Sequence, residues 1–186
     1  MKRIFDISVG LLLFILLVIP MLLVLVVVRA ISKEVPLYWS DRVGRENIIF
    51  KMPKFRTMRS DTPQLATHLM DDPDKYLSPI GGFLRRSSLD ELPQIFSILK
   101  GDMSFVGPRP ALFNQNDLVV LRTEKGVDKL MPGLTGWAQV NGRDELPIPE
   151  KVALDVEYME RQSLWFDMYI LWLTMLKVVR RDGVSH

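Results

Sequence analysis

The sequence predicts a mainly helical α+β domain with a short β-hairpin, joined to a long apolar N-terminal helix. Three observations predict this fold class. An apolar run occupies residues 9–28, two strand-like segments flank a turn within residues 37–52, and helical periodicity covers residues 149–161 and 164–181. With 186 residues the chain holds one compact domain and an anchor, because single domains usually contain roughly 100–200 residues.

The composition excludes several kinds of protein. The 24 Lys and Arg residues nearly balance the 22 Asp and Glu residues, so a dedicated nucleic-acid binder, which would be strongly basic, is not expected. The chain has no cysteine, which excludes disulfides, cysteine-ligated zinc and thiol nucleophiles. His68 and His186 lack partners at ligand spacing, so we expect both at the surface rather than in a metal site or catalytic triad.

The apolar run from Val9 to Val28 predicts a membrane helix, since its 20 residues would span about 30 Å, the thickness of a hydrocarbon core. It is too long for a cleaved signal peptide, so we expect it to stay attached. Pro20 removes a backbone hydrogen bond in mid-run and should kink the helix. Basic residues flank both ends, which leaves open whether the helix crosses the bilayer or returns to the face it entered.

The segment after the apolar run predicts a hairpin. Leu37–Val43 and Ile48–Met52 are its strands, and Gly44–Asn47 supplies a permissive turn. Residues 62–78 are polar and punctuated by proline, which predicts a surface excursion with a short helix over residues 64–70.

A short helix is predicted to begin at Pro93, where the missing N–H of proline costs nothing, and to end at Gly101. Two later segments combine proline and glycine and predict rigid, irregular loops over residues 107–110 and 131–136. Such loops often carry functional sites.

The C-terminal helices differ in their surfaces. The second, over residues 164–181, carries a narrow polar stripe and is too charged to cross a membrane. Trp165, Tyr169 and Trp172 share one of its faces. That face suits either the headgroup region of a membrane or packing on the domain, and the sequence leaves both open.

Basic residues are concentrated directly after the apolar run, with six of them in residues 41–60. Attraction to anionic lipid headgroups explains such a cluster, and phosphate binding is a sharper alternative. In an extended strand Lys54 and Arg56 would fall on one face by the two-residue period, where they could hold a diphosphate between them.

Four arginines outside that segment fit either as surface charges or as phosphate clamps: Arg85, Arg86, Arg109 and Arg143. The clamp role is favoured for Arg109 and Arg143, because both lie in stiff loops that would hold a guanidinium in place.

The adjacent acids Asp90 and Glu91 have two interpretations. Ser88 to Glu91 matches a helix capping box, which needs no catalytic duty, although Pro93 would then lie one turn inside the capped helix. Adjacent side chains point in different directions, so as functional groups the two acids should have unlike tasks. One would attack phosphorus while the other holds a cation or moves a proton, and Mg²⁺ is the natural cation.

Five stretches are specific in combination: Lys54–Met58, Arg85–Gln94, Gly101–Pro110, Pro132–Gly136 and Gln139–Arg143. On these motifs the chain resembles, over almost its whole length, the small monotopic phosphoglycosyl transferases of the bacterial sugar transferase family. The resemblance implies a re-entrant membrane helix over residues 1–34 and a compact cytosolic catalytic domain with interfacial amphipathic helices over residues 35–186. It also implies a monotopic protein on the cytoplasmic face of the bacterial inner membrane, in contact with membrane lipids.

The resemblance further implies a two-step reaction. Asp90 would attack the β-phosphate of a UDP-sugar and release UMP, and polyprenyl (undecaprenyl) phosphate would then take the sugar phosphate. Mg²⁺ would bind at Asp90 with Glu91 assisting, and phosphate or nucleotide contacts would come from Lys54, Arg85, Arg109 and Arg143. The family breaks its membrane helix at a Ser-Pro pair, where this chain has Ile19-Pro20.

Two rival functions would use the same residues. A metal-dependent phosphohydrolase of lipid diphosphates would turn over without an acceptor lipid, and a membrane-bound scaffold for glycan assembly would tolerate Asp90→Asn. The sequence leaves open the sugar, the glycan pathway and whether a homodimer forms.

Overall fold

A computed structural model describes residues 1–62, 73–142 and 146–180. The helices are α1 Lys2–Ser32, α2 Gly81–Arg86, α3 Gln94–Lys100, α4 Asn116–Glu124, α5 Trp137–Asn141, α6 Ile148–Arg161 and α7 Leu164–Arg180. The strands are β1 Leu37–Val43, β2 Ile49–Phe55, β3 Ser104–Val106 and β4 Gly133–Thr135. The mainly helical α+β class, the hairpin and the apolar N-terminal helix are thereby confirmed.

The hairpin has the predicted position. β1 and β2 pair antiparallel, from Leu37 opposite Phe55 to Val43 opposite Ile49. Asn47 lies in its turn with a φ of 60°, in the left-handed region that asparagine tolerates better than most residues. β2 continues to Phe55 rather than ending at Met52, so Lys54 lies within the strand.

β3 and β4 form a second, parallel pair that the sequence did not predict. Residues 131–136 were expected as an irregular loop, and that expectation is wrong for Gly133–Thr135, which is a strand. The N–H of Gly107 donates to the Thr135 carbonyl at 2.9 Å, and the N–H of Gly133 donates to the Pro108 carbonyl at 2.9 Å. A Cβ at Gly133 would lie 2.1 Å from the Gly107 nitrogen, so this approach requires glycine. The pairing anchors the two residues that directly precede Arg109.

α1 is one continuous helix with Pro20 inside it, and it is long and apolar enough to cross a membrane. One face packs on the domain, where Met21 lies against Phe55 and Ile95. The opposite face is exposed along the whole helix and consists of Ile4, Ile7, Leu11, Leu12, Ile15, Leu16, Ile19, Leu22, Leu23, Val26, Val27 and Ile31. Re-entry at Pro20 stays a prediction.

Polar residues attach the N-terminal end of α1 to the domain. The Lys2 ammonium lies 2.5 Å from the Asp167 carboxylate in α7. Arg3 donates to the Ile98 and Leu99 carbonyls at the end of α3, at 2.6 and 2.7 Å. Asp6 is buried and accepts from the Ser104 hydroxyl and the Phe105 N–H in β3, at 3.0 and 3.2 Å. Because β3 leads directly into Gly107, α1 also supports the segment that carries Arg109.

The other sequence predictions have mixed outcomes. Pro93 and Gly101 bound α3, with a φ of 106° at Gly101, as predicted. α6 and α7 match the two predicted C-terminal helices. The aromatic face of α7 is exposed, with Trp165 at 83%, while Phe166 and Ile170 on the opposite side are buried in the core. The predicted helix over residues 64–70 falls outside the described residues.

Candidate functional site

The Asp-Glu pair lies in a single 3-10 turn, Leu89–Glu91, between α2 and α3. Ser88 enters this turn with a φ of 56° and makes no capping hydrogen bond through its side chain. The Glu91 carboxylate points to Lys54 and Arg109 instead of to the turn backbone. The capping-box interpretation is therefore wrong, and both carboxylates are left for other interactions.

Glu91 is an ionised carboxylate whose charge is balanced by two cations, and it joins three segments of the fold. Its Oε1 accepts from Lys54 Nζ at 2.8 Å and from Arg109 Nη2 at 3.0 Å. Burial raises the pKa of Glu91, but the charges of Lys54 and Arg109 and their hydrogen bonds outweigh it and hold the pKa well below its usual range. Glu91 is therefore ionised and fixed, and it orients the two cations.

Asp90 has the opposite surroundings. Asp90 is only 7% exposed. Burial raises its pKa to about 6; the Glu91 charge adds to this rise, and the charges of Lys54, Arg85 and Arg109 oppose it. In the part of the chain that the structure describes, no group donates a hydrogen bond to the Asp90 carboxylate. Asp90 is thus a buried carboxylate whose oxygens are available, which agrees with unlike tasks for the two acids.

Of the predicted phosphate-binding residues, the structure brings three to the carboxylates. Lys54 comes from β2, Arg85 from α2 and Arg109 from the segment after β3. Arg85 Nε donates to Thr57 Oγ1 at 3.1 Å, which orients the guanidinium. Among the described residues, three positive charges from distant parts of the chain therefore surround the Asp90–Glu91 pair, an arrangement suited to binding phosphates.

The remaining predicted residues lie elsewhere. Arg56 forms an ion pair with Glu34 at 3.1 Å instead of facing the Asp90–Glu91 pair, so Lys54 and Arg56 bind different carboxylates. Arg143 falls outside the described residues, as do His68 and His186. The substrate-binding roles of Arg56 and Arg143 stay predictions.

A buried ion pair that supports Arg109 was missed by the sequence reasoning. Arg122 in α4 donates from Nε and Nη2 to Asp155 Oδ2 in α6, at 2.9 and 2.7 Å. Its third nitrogen, Nη1, donates to the Arg109 carbonyl at 2.8 Å. No local signal could have revealed this contact, because the two ion-pair partners are 33 residues apart. Arg122 fixes the backbone from which the Arg109 guanidinium extends.

The residues around Asp90 fit a magnesium ion that is held jointly by the protein and the substrate phosphates, rather than one held by protein ligands alone. Within residues 1–62, 73–142 and 146–180, no group of three or more His, Asp or Glu side chains could hold a metal ion alone. Mg²⁺ commonly binds through one or two carboxylates together with substrate phosphates. Because Glu91 is occupied by two cations, Asp90 is the carboxylate that would hold the ion against a bound diphosphate.

A sequence model of the family described as bacterial sugar transferase matches residues 1–181. The chain is 37% identical over 187 residues to the uncharacterized sugar transferase EpsL of Bacillus subtilis strain 168, covering 100% of this chain and 90% of EpsL. It is 37% identical over 186 residues to the UDP-glucose:undecaprenyl-phosphate glucose-1-phosphate transferase of Escherichia coli K12, covering 95% of this chain and 40% of that protein. The undecaprenyl-phosphate galactose phosphotransferase of Salmonella typhimurium LT2 is 37% identical over 165 residues, covering 79% of this chain and 34% of that protein. The chain spans nearly all of EpsL but less than half of the other two proteins.

Proposed function

The chain belongs to the bacterial sugar transferase family and is a phosphoglycosyl transferase, and from this premise we propose the reaction that its site performs. A sugar 1-phosphate moves from a UDP-sugar to undecaprenyl phosphate through a covalent intermediate on Asp90, as the first membrane step of glycoconjugate assembly. The observation that carries the proposal is the contrast between the two acids. Glu91 is held by two cations, whereas Asp90 feels the charge of the same cations but accepts no hydrogen bond from the described residues.

In the first step an Asp90 oxygen attacks the β-phosphorus of the UDP-sugar. The bond from that phosphorus to the oxygen bridging the two phosphates breaks, and UMP leaves with the bridging oxygen and the electron pair. Lys54, Arg85 and Arg109 neutralise the diphosphate, which would otherwise repel an anionic nucleophile. Mg²⁺ held by Asp90 and the diphosphate would stabilise the negative charge that develops on the phosphate oxygens.

In the second step an oxygen of the acceptor phosphate attacks the same phosphorus. The bond between phosphorus and Asp90 breaks, the carboxylate is regenerated, and the product is a polyprenyl diphosphate sugar. No proton transfer is required in either step, which agrees with the occupation of Glu91 by Lys54 and Arg109. In this mechanism Glu91 assists by orienting cations.

The two half-reactions can be tested separately. The full chain in lipid nanodiscs is incubated with Mg²⁺ and a panel of UDP-sugars that carry the label in the β-phosphate, without acceptor lipid. We expect UMP release that stops at one equivalent of enzyme, with the label retained on the protein. Added undecaprenyl phosphate should move the label into the lipid.

Two results would contradict the proposal. UMP release that requires the acceptor would mean direct transfer between bound substrates. Continued UMP release with free sugar phosphate, at the rate seen with acceptor, would identify a hydrolase.

The same proposal includes a membrane location on the cytoplasmic face, with α1 returning to the side that it enters. Support comes from the contacts at its two ends, since Lys2 binds Asp167 and Glu34, just beyond α1, binds Arg56 in the same domain. A helix that crossed the bilayer would separate its ends by about 30 Å of hydrocarbon. The continuous exposed apolar face of α1 would then lie against lipid.

Topology can be measured cleanly because the chain has no cysteine. One variant carries a single cysteine ahead of Lys2, and another carries Asp117→Cys in the exposed part of α4. We expect both thiols to resist a membrane-impermeant reagent in intact bacterial cells and both to react after permeabilisation. Labelling of the N-terminal thiol alone in intact cells would establish a crossing helix.

A further inference from the structure

Arg56 lies where the membrane helix joins the soluble domain. Its Nη1 contacts Glu34 Oε2 at 3.1 Å, and Glu34 follows Lys33, the residue that ends α1 with a φ of 57°. The backbone N–H of Arg56 donates to the Pro36 carbonyl at 2.7 Å, which fixes the strand end to the same junction. Arg56 therefore makes polar contacts that link the end of β2 to the end of α1.

Exposed apolar residues surround this junction. Ile31 is the last outward-facing apolar residue of α1, and Val35 and Trp39 follow it at 67% and 53% exposure. Tryptophan is enriched at the level of lipid headgroups, where its ring is partly in hydrocarbon and partly in water. A cation beside these residues would lie at the depth of lipid phosphates.

The guanidinium of Arg56 has donors beyond its ion pair. The contact with Glu34 uses Nη1, and the described atoms supply no hydrogen-bond partner for the buried Nε. Arginine carries five N–H donors in a planar fork that matches phosphate oxygens. A phosphate oxygen can accept from the guanidinium N–H groups that the Glu34 contact leaves unused. The side chain is 20% exposed, so it is accessible at one edge.

Arg56 also lies a short distance from the proposed UDP-sugar site, which consists of Asp90, Glu91 and the cations around them. Lys54, two residues earlier, contacts Glu91, whereas Arg56 contacts Glu34. Two residues of extended chain span about 7 Å, so the backbone positions of the two cations are adjacent, with Lys54 at the Asp90–Glu91 pair and Arg56 at the end of α1. The UDP-sugar is water-soluble and can approach Asp90 from the cytosol. The acceptor phosphate is tied to a hydrocarbon chain and must approach from the membrane.

We propose that Arg56 binds the phosphate of the incoming polyprenyl phosphate, while Lys54, Arg85 and Arg109 bind the diphosphate of the UDP-sugar. This inference rests on the proposed function and assigns its two substrates to different cations. Glu34 holds the guanidinium in place at the membrane surface until the acceptor arrives.

The test compares the two half-reactions in Arg56→Ala. We expect normal UMP release and label retention without acceptor, and a KM for polyprenyl phosphate raised on the order of tenfold to a hundredfold, as for loss of a charge-assisted contact. The KM of Arg56→Lys for polyprenyl phosphate should lie between those of the wild type and Arg56→Ala, because an ammonium keeps the charge but lacks the planar set of donors of a guanidinium. Arg59→Ala is the matched control: Arg59 lies three residues on, pairs with Asp61 at 2.8 Å and is 58% exposed, and its loss should change neither KM.

Each other outcome overturns the assignment. Slower label retention or a raised KM for the UDP-sugar would place Arg56 in the donor site. Unchanged kinetics would leave Arg56 as a structural partner of Glu34. A defect that disappears in nanodiscs of neutral lipid would assign Arg56 to bulk anionic headgroups. If the wild type itself retains no label, the proposed function fails, whatever Arg56 does.

Discussion

Asp90→Asn is expected to retain no labelled sugar phosphate and to lose transfer activity by roughly a thousandfold or more, as other enzymes do when their nucleophile is removed. An amide keeps the size of the side chain but cannot attack phosphorus as a carboxylate does. Glu91→Gln is the matched comparison, because its amide oxygen can still accept from Lys54 and Arg109 although the negative charge is lost. We expect Glu91→Gln to retain label more slowly rather than to retain none.

Stability supplies the control for Asp90→Asn. Burial raises the pKa of Asp90 in the folded protein to about 6, from its ordinary value of 3.8. Ionised Asp90 therefore costs stability above about pH 6, and this cost disappears as the pH falls below about 4. In EDTA at pH 8 the asparagine variant should therefore be more stable than the wild type, on the order of 1–3 kcal/mol. The difference in Tm should shrink towards pH 5.

Full transfer activity in a stable Asp90→Asn variant would remove Asp90 from the nucleophile role. A variant less stable than the wild type would instead attribute the loss of activity to folding. Thermal unfolding and label retention measured on the same preparation separate these outcomes.

Arg122→Ala is expected to destabilise the fold by about 3–5 kcal/mol, because it leaves the Asp155 carboxylate buried without its partner. The side chains of Arg122 and Asp155 are 9% and 2% exposed. Burial already raises the pKa of Asp155 against the lowering effect of Arg122. The measurement is the shift in Tm, and a loss below about 1 kcal/mol would mean that water replaces the guanidinium.

A double variant separates the two roles of Arg122. Arg122→Met with Asp155→Leu replaces both charges by apolar groups, which is often neutral for stability. We expect it to recover most of the lost Tm. It should still show a reduced kcat/KM for the UDP-sugar, because no side chain then holds the Arg109 carbonyl. Recovery of both stability and kcat/KM would show that Arg122 does not position Arg109.

The elements that the sequence predicted well are those whose signals are local. The boundaries of α3 follow from Pro93 and Gly101, and the hairpin follows from residues on either side of its own turn. The length of the apolar run predicted α1 in the same way. Propensity, capping and hydrophobic periodicity act within a few residues, so these elements can be predicted from a single sequence without knowing the fold.

The candidate site residues were named from the sequence, but their partners were decided by the tertiary structure. Lys54 and Arg109 meet Glu91 across 37 and 18 residues, and Arg122 meets Asp155 across 33. The strand period predicted that Lys54 and Arg56 could hold a diphosphate between them, yet they bind Glu91 and Glu34. The parallel pairing of β3 with β4 likewise joins distant segments. An ion pair or a backbone hydrogen bond acts over a few ångströms of space and is indifferent to separation along the chain, so only the folded chain decides which charges meet.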